Sequence, residues 1–145
     1  MRLTLNLRLW LYACAALLWA SGTAWLFAHY FPSARPHSDG LASTSMKIHG
    51  GAAMLLLVLA GAVVALHARG AWRERKNRVS GLVMATVLIA LAVTGYLLYY
   101  AGGETARALA SAGHWLPGLA LPVIGTWHGI AGRRSRQPSA RMKIL

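Results

Sequence analysis

Apolar residues in this chain gather into four runs, Leu9 to Ala28, Ile48 to Leu66, Val79 to Tyr100 and Gly113 to Ala131, with the charged positions confined to the stretches between and beyond them. None of the four contains Asp, Glu, Lys or Arg. At about 1.5 Å of rise per residue, each is long enough to cross a hydrocarbon core of about 30 Å. The pattern predicts an all-α integral membrane protein, a four-helix transmembrane bundle over residues 1–132 followed by a basic tail over 133–145. Arg2 and Arg8 ahead of the first run are also the mark of a secretory leader, but no clean small-x-small site precedes His29, so the first run reads as a retained helix.

The connections refine this picture. Residues 67–79 and 101–112 read as tight turns that make their flanking helices antiparallel neighbours. Tyr30 to Lys47 is longer, holds Pro32, Pro36, Gly40 and several Ser and Thr, and shows no periodic pattern, so it reads as irregular. A weak internal repeat relates the halves: each is a helix with a glycine near its far end (Gly22, Gly95), a loop, and a helix bounded by His and followed by Arg. It makes the second and fourth helices equivalent.

Composition agrees, with 57% hydrophobic and 12% charged residues and a mean hydropathy of +0.47. The net charge of +12 is unevenly spread. Arg2, Arg8, Arg69, Arg73, Arg75, Lys76, Arg78, Arg133, Arg134, Arg136, Arg141 and Lys143 fall on one side of the predicted membrane, and Arg35, Lys47 and Arg107 on the other. The positive-inside bias puts both termini in the cytoplasm. Topology and attraction to anionic headgroups account for the charge, so no nucleic-acid partner is expected. The single cysteine, Cys14, lies inside the first helix and supports neither a disulfide nor a thiolate metal site.

Chemistry enters through the histidines. His49 and His67 bound the second run, eighteen positions apart, and His114 and His128 bound the fourth, fourteen apart. At about 100° per residue both spacings return to within about 40° of one face. Two helices running the same way then place His49 level with His114 and His67 level with His128, the donor pattern of two bis-histidine haems. Buried polar groups in a bundle with no other intramembrane ionisable residue need a partner or a task. His29, at the end of the first helix, is the reserve ligand on the outer level, and His37 reads as a water-facing loop residue. The longer spacing rises about 27 Å against about 21 Å for the shorter, so one helix tilts or one ring leans. A macrocycle between helices also needs room. Gly118 and Gly125 share the stripe of His114 and His128, and Gly81 and Gly95 on the third helix repeat the interval between those two histidines. With Gly22, these are the cofactor-lining candidates.

The segments IHGGAAMLLLVLAGAVVALHARGAW, RVSGLVMATVLIALAVTGYLLYY and GHWLPGLALPVIGTWHGIAGRR resemble small bacterial b-type cytochromes of the cytochrome b561-like, four-helix di-haem kind. The paired glycines are similar to those of the cytochrome b subunit of quinol-oxidising complexes. The chain departs from the resemblance in having no histidine at the cytoplasmic end of the first helix and in the longer His49 to His67 interval. The resemblance implies two non-covalent haem b groups, His67 and His128 ligating the cytoplasmic-side iron and His49 and His114 the periplasmic-side one. It also implies electron transfer between quinol or a dehydrogenase and a periplasmic or membrane redox partner, as a carrier or oxidoreductase subunit rather than a stand-alone enzyme. Arg69, Arg73 and Arg133 inside and Lys47 and Arg107 outside are placed to pair with propionates. The six tryptophans and Tyr96, Tyr99 and Tyr100 read first as interfacial anchors and second as a quinone cleft. The competing reading is a cofactor-free or single-haem subunit that anchors or assembles a larger redox complex.

Overall fold

The computed structural model describes residues 4–31, 38–74 and 77–135. They form α1 (Leu5–Tyr30), α2 (Ser38–Val63), a π-helical turn (Val64–Ala68) that runs without a break into α3 (Arg69–Arg73), α4 (Arg78–Tyr100) and α5 (Glu104–Arg134). No strand occurs among the described residues. Four of these helical stretches, Leu5–Tyr30, Gly40–Ala68, Arg78–Tyr100 and Glu104–Arg134, are long and apolar enough to span a bilayer. The protein is an all-helical, multi-pass membrane protein.

The helices pack by one rule. On α1 the less exposed positions include Leu7, Leu11, Cys14, Leu18, Ser21, Trp25 and Ala28; on α4 they include Ser80, Met84, Val87, Leu91, Thr94 and Leu98; and on α5 they include Ala110, His114, Pro117, Leu121, Ile124, His128 and Ala131. Steps of three and four alternate in each list. Such a heptad period is the seam of left-handed, antiparallel coiled-coil packing, and it keeps positions two heptads apart on the same face. On α2 the seam runs Leu41, Ser45, His49, Ala52, Leu56, Leu59, Val63 and then His67 and Gly70. Consecutive steps of four occur at Leu41, Ser45 and His49 and again at Leu59, Val63 and His67, the second within reach of the π-helical turn Val64–Ala68, which includes His67.

Helix ends differ from the sequence reading. Residues 38–47, read as irregular, are the first turns of α2, because Leu41 and Ser45 extend its seam and Ser45 is buried against the bundle. Pro32, Pro36 and His37 lie outside the described residues. The stretch 101–112, read as a turn, is helix from Glu104: Gly103, at φ +88°, makes the reversal that a side chain would resist, and Glu104 sits favourably in the first turn of the macrodipole. The stretch 67–79 keeps helix through Arg73 and turns only afterwards, with Asn77 at φ 53°. Arg78 fixes that turn by donating to the Trp72 carbonyl at 2.8 and 3.2 Å with its guanidinium over the Trp72 ring. The last helix runs to Arg134, so the expected tail begins as helix, and residues 136–145 lie outside the described ones.

Contacts concentrate within two hairpins, α1 with α2 and α4 with α5, and the hairpins meet chiefly through α1 and α5. The buried apolar residues are small (Cys14, Ala28, Ala52, Ala110), and no large side chain among the described residues is fully buried. The centre is therefore not filled by leucines and phenylalanines in the manner of a soluble bundle. Lining that centre are the seams that carry histidine.

Candidate functional site

His49 on α2 and His114 on α5 face each other with ring centroids 6.0 Å apart and planes inclined by 71°. Their helices make no extensive backbone approach, so the rings reach across a space between the hairpins. The structure thus sets His49 against His114, while His67 and His128 lie farther along the same two helical stretches, toward their C-terminal ends.

Three of these rings are held by the neighbouring helix in the same manner. The Nδ1 of His49 lies 3.0 Å from the Leu18 carbonyl and 3.1 Å from Ser21 Oγ. A carbonyl only accepts, so Nδ1 carries the proton and donates. Ser21 donates its own hydroxyl hydrogen back to Leu17 O at 2.6 Å, which leaves its oxygen to accept from the ring. His114 Nδ1 lies 3.1 Å from Thr94 Oγ1, whose hydroxyl donates to Ala90 O at 2.6 Å. His128 Nδ1 lies 3.0 Å from Ser80 Oγ, which donates to Asn77 Oδ1 at 2.6 Å. In all three the hydroxyl hydrogen is committed elsewhere, the ring nitrogen donates, and the imidazole is fixed as the tautomer with Nε2 as its basic nitrogen. Orienting a histidine through its remote N–H is how proteins present the other nitrogen to a metal.

The residue after each hydroxyl is glycine. A Cβ on Gly22 would stand 3.2 Å from His49 Cε1, one on Gly95 3.2 Å from His114 Cε1, and one on Gly81 3.9 Å from His128 Cε1. Three Ser/Thr-Gly dipeptides therefore form three notches, the hydroxyl gripping Nδ1 and the missing side chain admitting the ring edge. Gly81 and Gly95 lie against the imidazoles of His128 and His114. Gly118 and Gly125 face α4, where added methyls would meet Leu91 and Met84 at 3.7 Å; they let α4 and α5 come close together.

These distances order the glycines. Alanine at Gly95 or Gly22 forces a ring edge to move by a few tenths of an ångström and is expected to cost about 1 to 3 kcal/mol, as overpacking does. Alanine at Gly81 meets ordinary van der Waals contact and is expected to leave the Tm of the purified protein unchanged. Equal loss of Tm in all three variants would contradict this reading.

His29 is exposed and stacks on Trp25, centroids 4.7 Å apart and planes at 10°, with Tyr30 against its edge. It stays on the outer side of α1 rather than joining the His49 and His114 pair. Tyr96 and Tyr100 likewise stack on one another and are exposed, as belt residues are.

Two imidazoles at one level are too few for a closed zinc or copper site, and no group of three or more His, Cys, Asp or Glu that could hold a metal ion occurs among the described residues. They suffice for a metal whose other positions are filled by a macrocycle. Two imidazoles bound to one ion from opposite sides by bonds of about 2 Å have ring centroids about 6 Å apart, the separation observed here. Donor type, tautomer and spacing all fit a bis-histidine haem. The serine and threonine hydroxyls were missed in the sequence, although their position one residue before Gly22, Gly81 and Gly95 was there to be read. Compared with known proteins, the chain matches no protein family, no curated sequence and no solved structure.

Proposed function

We propose that this protein is a di-haem b-type cytochrome of the bacterial inner membrane, moving electrons across the bilayer between the quinone pool or a dehydrogenase and a periplasmic redox partner. The observation that carries the proposal is the His49 and His114 pair, 6.0 Å apart across the two hairpins, each ring held by a hydroxyl and a glycine of the neighbouring helix. Haem supplies one-electron iron chemistry when bound. The chain's part is to hold and tune it. His49 and His114 would hold one haem and His67 and His128 the other, and two imidazole donors to each would keep the chemistry to electron transfer. Ser21, Thr94 and Ser80 draw on the Nδ1 protons and raise the basicity of Nε2. The apolar helices keep water from the centre, which favours one-electron change without coupled proton uptake.

With the basic loops and tail inside, the His67 and His128 pair lies on the cytoplasmic side. Arg69, Arg73 and Arg133 there are suited to carboxylate groups, and a haem held by this pair would give a two-step path.

The test is stoichiometric. Protein purified after haem-replete expression should be red and give two haems per chain by pyridine haemochrome assay. The haem should be extractable into acid-acetone, because the sequence has no CxxCH for covalent attachment. One haem per chain would confine the site to one pair. A colourless protein would sink the reading in favour of a cofactor-free anchor subunit.

A further inference from the structure

The three hydroxyls that grip imidazole nitrogens donate their own hydrogens at the same 2.6 Å, but to different kinds of acceptor. Ser21 and Thr94 stand mid-helix and donate to peptide carbonyls four residues back, Leu17 O and Ala90 O. Ser80 is the third residue of α4, so the position four before it precedes the helix. The carbonyl three back, that of Asn77, accepts from Gly81 N at 3.1 Å. Ser80 donates instead to Oδ1 of the Asn77 side chain. Asn77 is the N-cap of α4 and lies in the left-handed region, at φ 53° and ψ 34°, which asparagine tolerates better than most residues with a side chain. An N-cap oxygen ordinarily accepts from a backbone N–H of the first turn. Asn77 makes no such bond, and its oxygen goes to the Ser80 hydroxyl. The other end of the amide lies against Gly132, one turn beyond His128 on α5, where an added Cβ would stand 3.4 Å from Nδ2. A continuous chain of contacts thus runs from Asn77 through Ser80 to His128 Nδ1.

We propose that Asn77 is a positioning residue for His128. Its side-chain amide stands in for the helical carbonyl that Ser80 lacks, engages the hydroxyl hydrogen, and leaves the Ser80 oxygen to accept from Nδ1. With that acceptor gone, the hydroxyl turns and donates to Nδ1, which favours the tautomer that carries its proton on Nε2 and offers no lone pair there to a metal. The donor strength of His128 is therefore set by a side chain at the start of α4, whereas Ser21 and Thr94 act on His49 and His114 through main-chain carbonyls that a side-chain substitution does not remove. This inference rests on the haem reading above in one respect, that the metal presented to His128 is haem iron.

Asn77→Gly removes the amide but keeps a residue that adopts positive φ freely, so the turn survives. Nitrogen NMR of the full-length, haem-free protein, at a pH well above the imidazole range, tells a proton on Nδ1 from one on Nε2. In the native chain His128 is expected in the Nδ1–H form. In Asn77→Gly its population should pass largely to Nε2–H, with His49 and His114 unchanged. Asn77→Asp keeps an acceptor oxygen and should retain the native form, and Gly132→Val, which pushes on Nδ2, should act in the direction of Asn77→Gly. In a Ser80→Ala background, Asn77→Gly should have no additional effect at His128, because the hydroxyl through which it acts is gone. In the haem-loaded chain Asn77→Gly should weaken one haem by about tenfold and raise its midpoint potential, Asn77→Asp should lower that potential, and the haem affected should be the one that His128→Ala loses. An Asn77 that only forms the turn would change Tm and leave the His128 signal and the potentials where they were. That result, an equal effect with and without the Ser80 hydroxyl, or a shift of His49 and His114 along with His128 would overturn the proposal and leave the cytochrome reading intact. If the chain takes up no haem the cytochrome reading falls, and the NMR comparison alone decides whether Asn77 positions His128.

Discussion

Replacing His114 with alanine is expected to remove one of two haems and leave the other spectrally intact. The partner substitution, His49→Ala, should remove the same one. The two rings meet at 6.0 Å and would serve one iron, so loss of either side leaves that haem with a single protein bond, and it dissociates or turns high-spin. His67→Ala and His128→Ala should pair in the same way at the other level. The measurement is haem content together with reduced-minus-oxidised spectra of the four variants, read as a pattern. His29→Ala belongs beside them as the comparison, since that side chain stacks on Trp25 away from the pairs, and it should hold two haems. A grouping of His29 with His114 would redraw the bundle.

The second large effect is expected one step out from the iron. Thr94→Val keeps the shape of the side chain but removes the oxygen that accepts from His114 Nδ1, and Ser80→Ala and Ser21→Ala do the same for His128 and His49. Losing the partner of a ligating histidine typically weakens the metal site about 10- to 100-fold. Competition for haem by apomyoglobin should show a loss of that order at the affected level, with a negligible change at the other. The effect of Ser21→Ala should be tempered, because the Leu18 carbonyl still accepts from His49 at 3.0 Å, and that of Thr94→Val likewise, because the Leu91 backbone also bonds His114. Thr23→Ala gives the baseline. Its hydroxyl bonds only to its own helix, at Trp19 O and Ala20 O, and its removal should leave both haems in place.

What the sequence made legible follows from how each feature is encoded. Four uncharged runs announce spanning helices because the bilayer penalises every exposed charge and unpaired peptide group. The His114 and His128 pair was visible because two whole heptads separate them. The longer interval from His49 to His67 looked like a misfit because α-helical geometry was assumed throughout; a backbone departure such as the turn at Val64–Ala68 leaves no residue-type signature among Val, Ala and Leu. Helix ends at Ser38 and Glu104 were missed for a related reason. Polar residues near an interface are solvated whether helical or not, so hydropathy falls silent before the helix stops. The hydroxyls escaped because Ser and Thr are common in membrane helices, and only the pairing of each with a following glycine and a facing imidazole gives them meaning.

The concentration of contacts within α1 with α2 and α4 with α5 bears on biogenesis. Each hairpin can settle as it leaves the insertion machinery, before its counterpart has been made, because its seam is satisfied internally. What remains is the mating of two finished halves across a centre that their own side chains leave thinly packed. On the haem reading proposed above, the cofactor would be the clasp between them, and its supply would then limit how much mature protein the membrane holds.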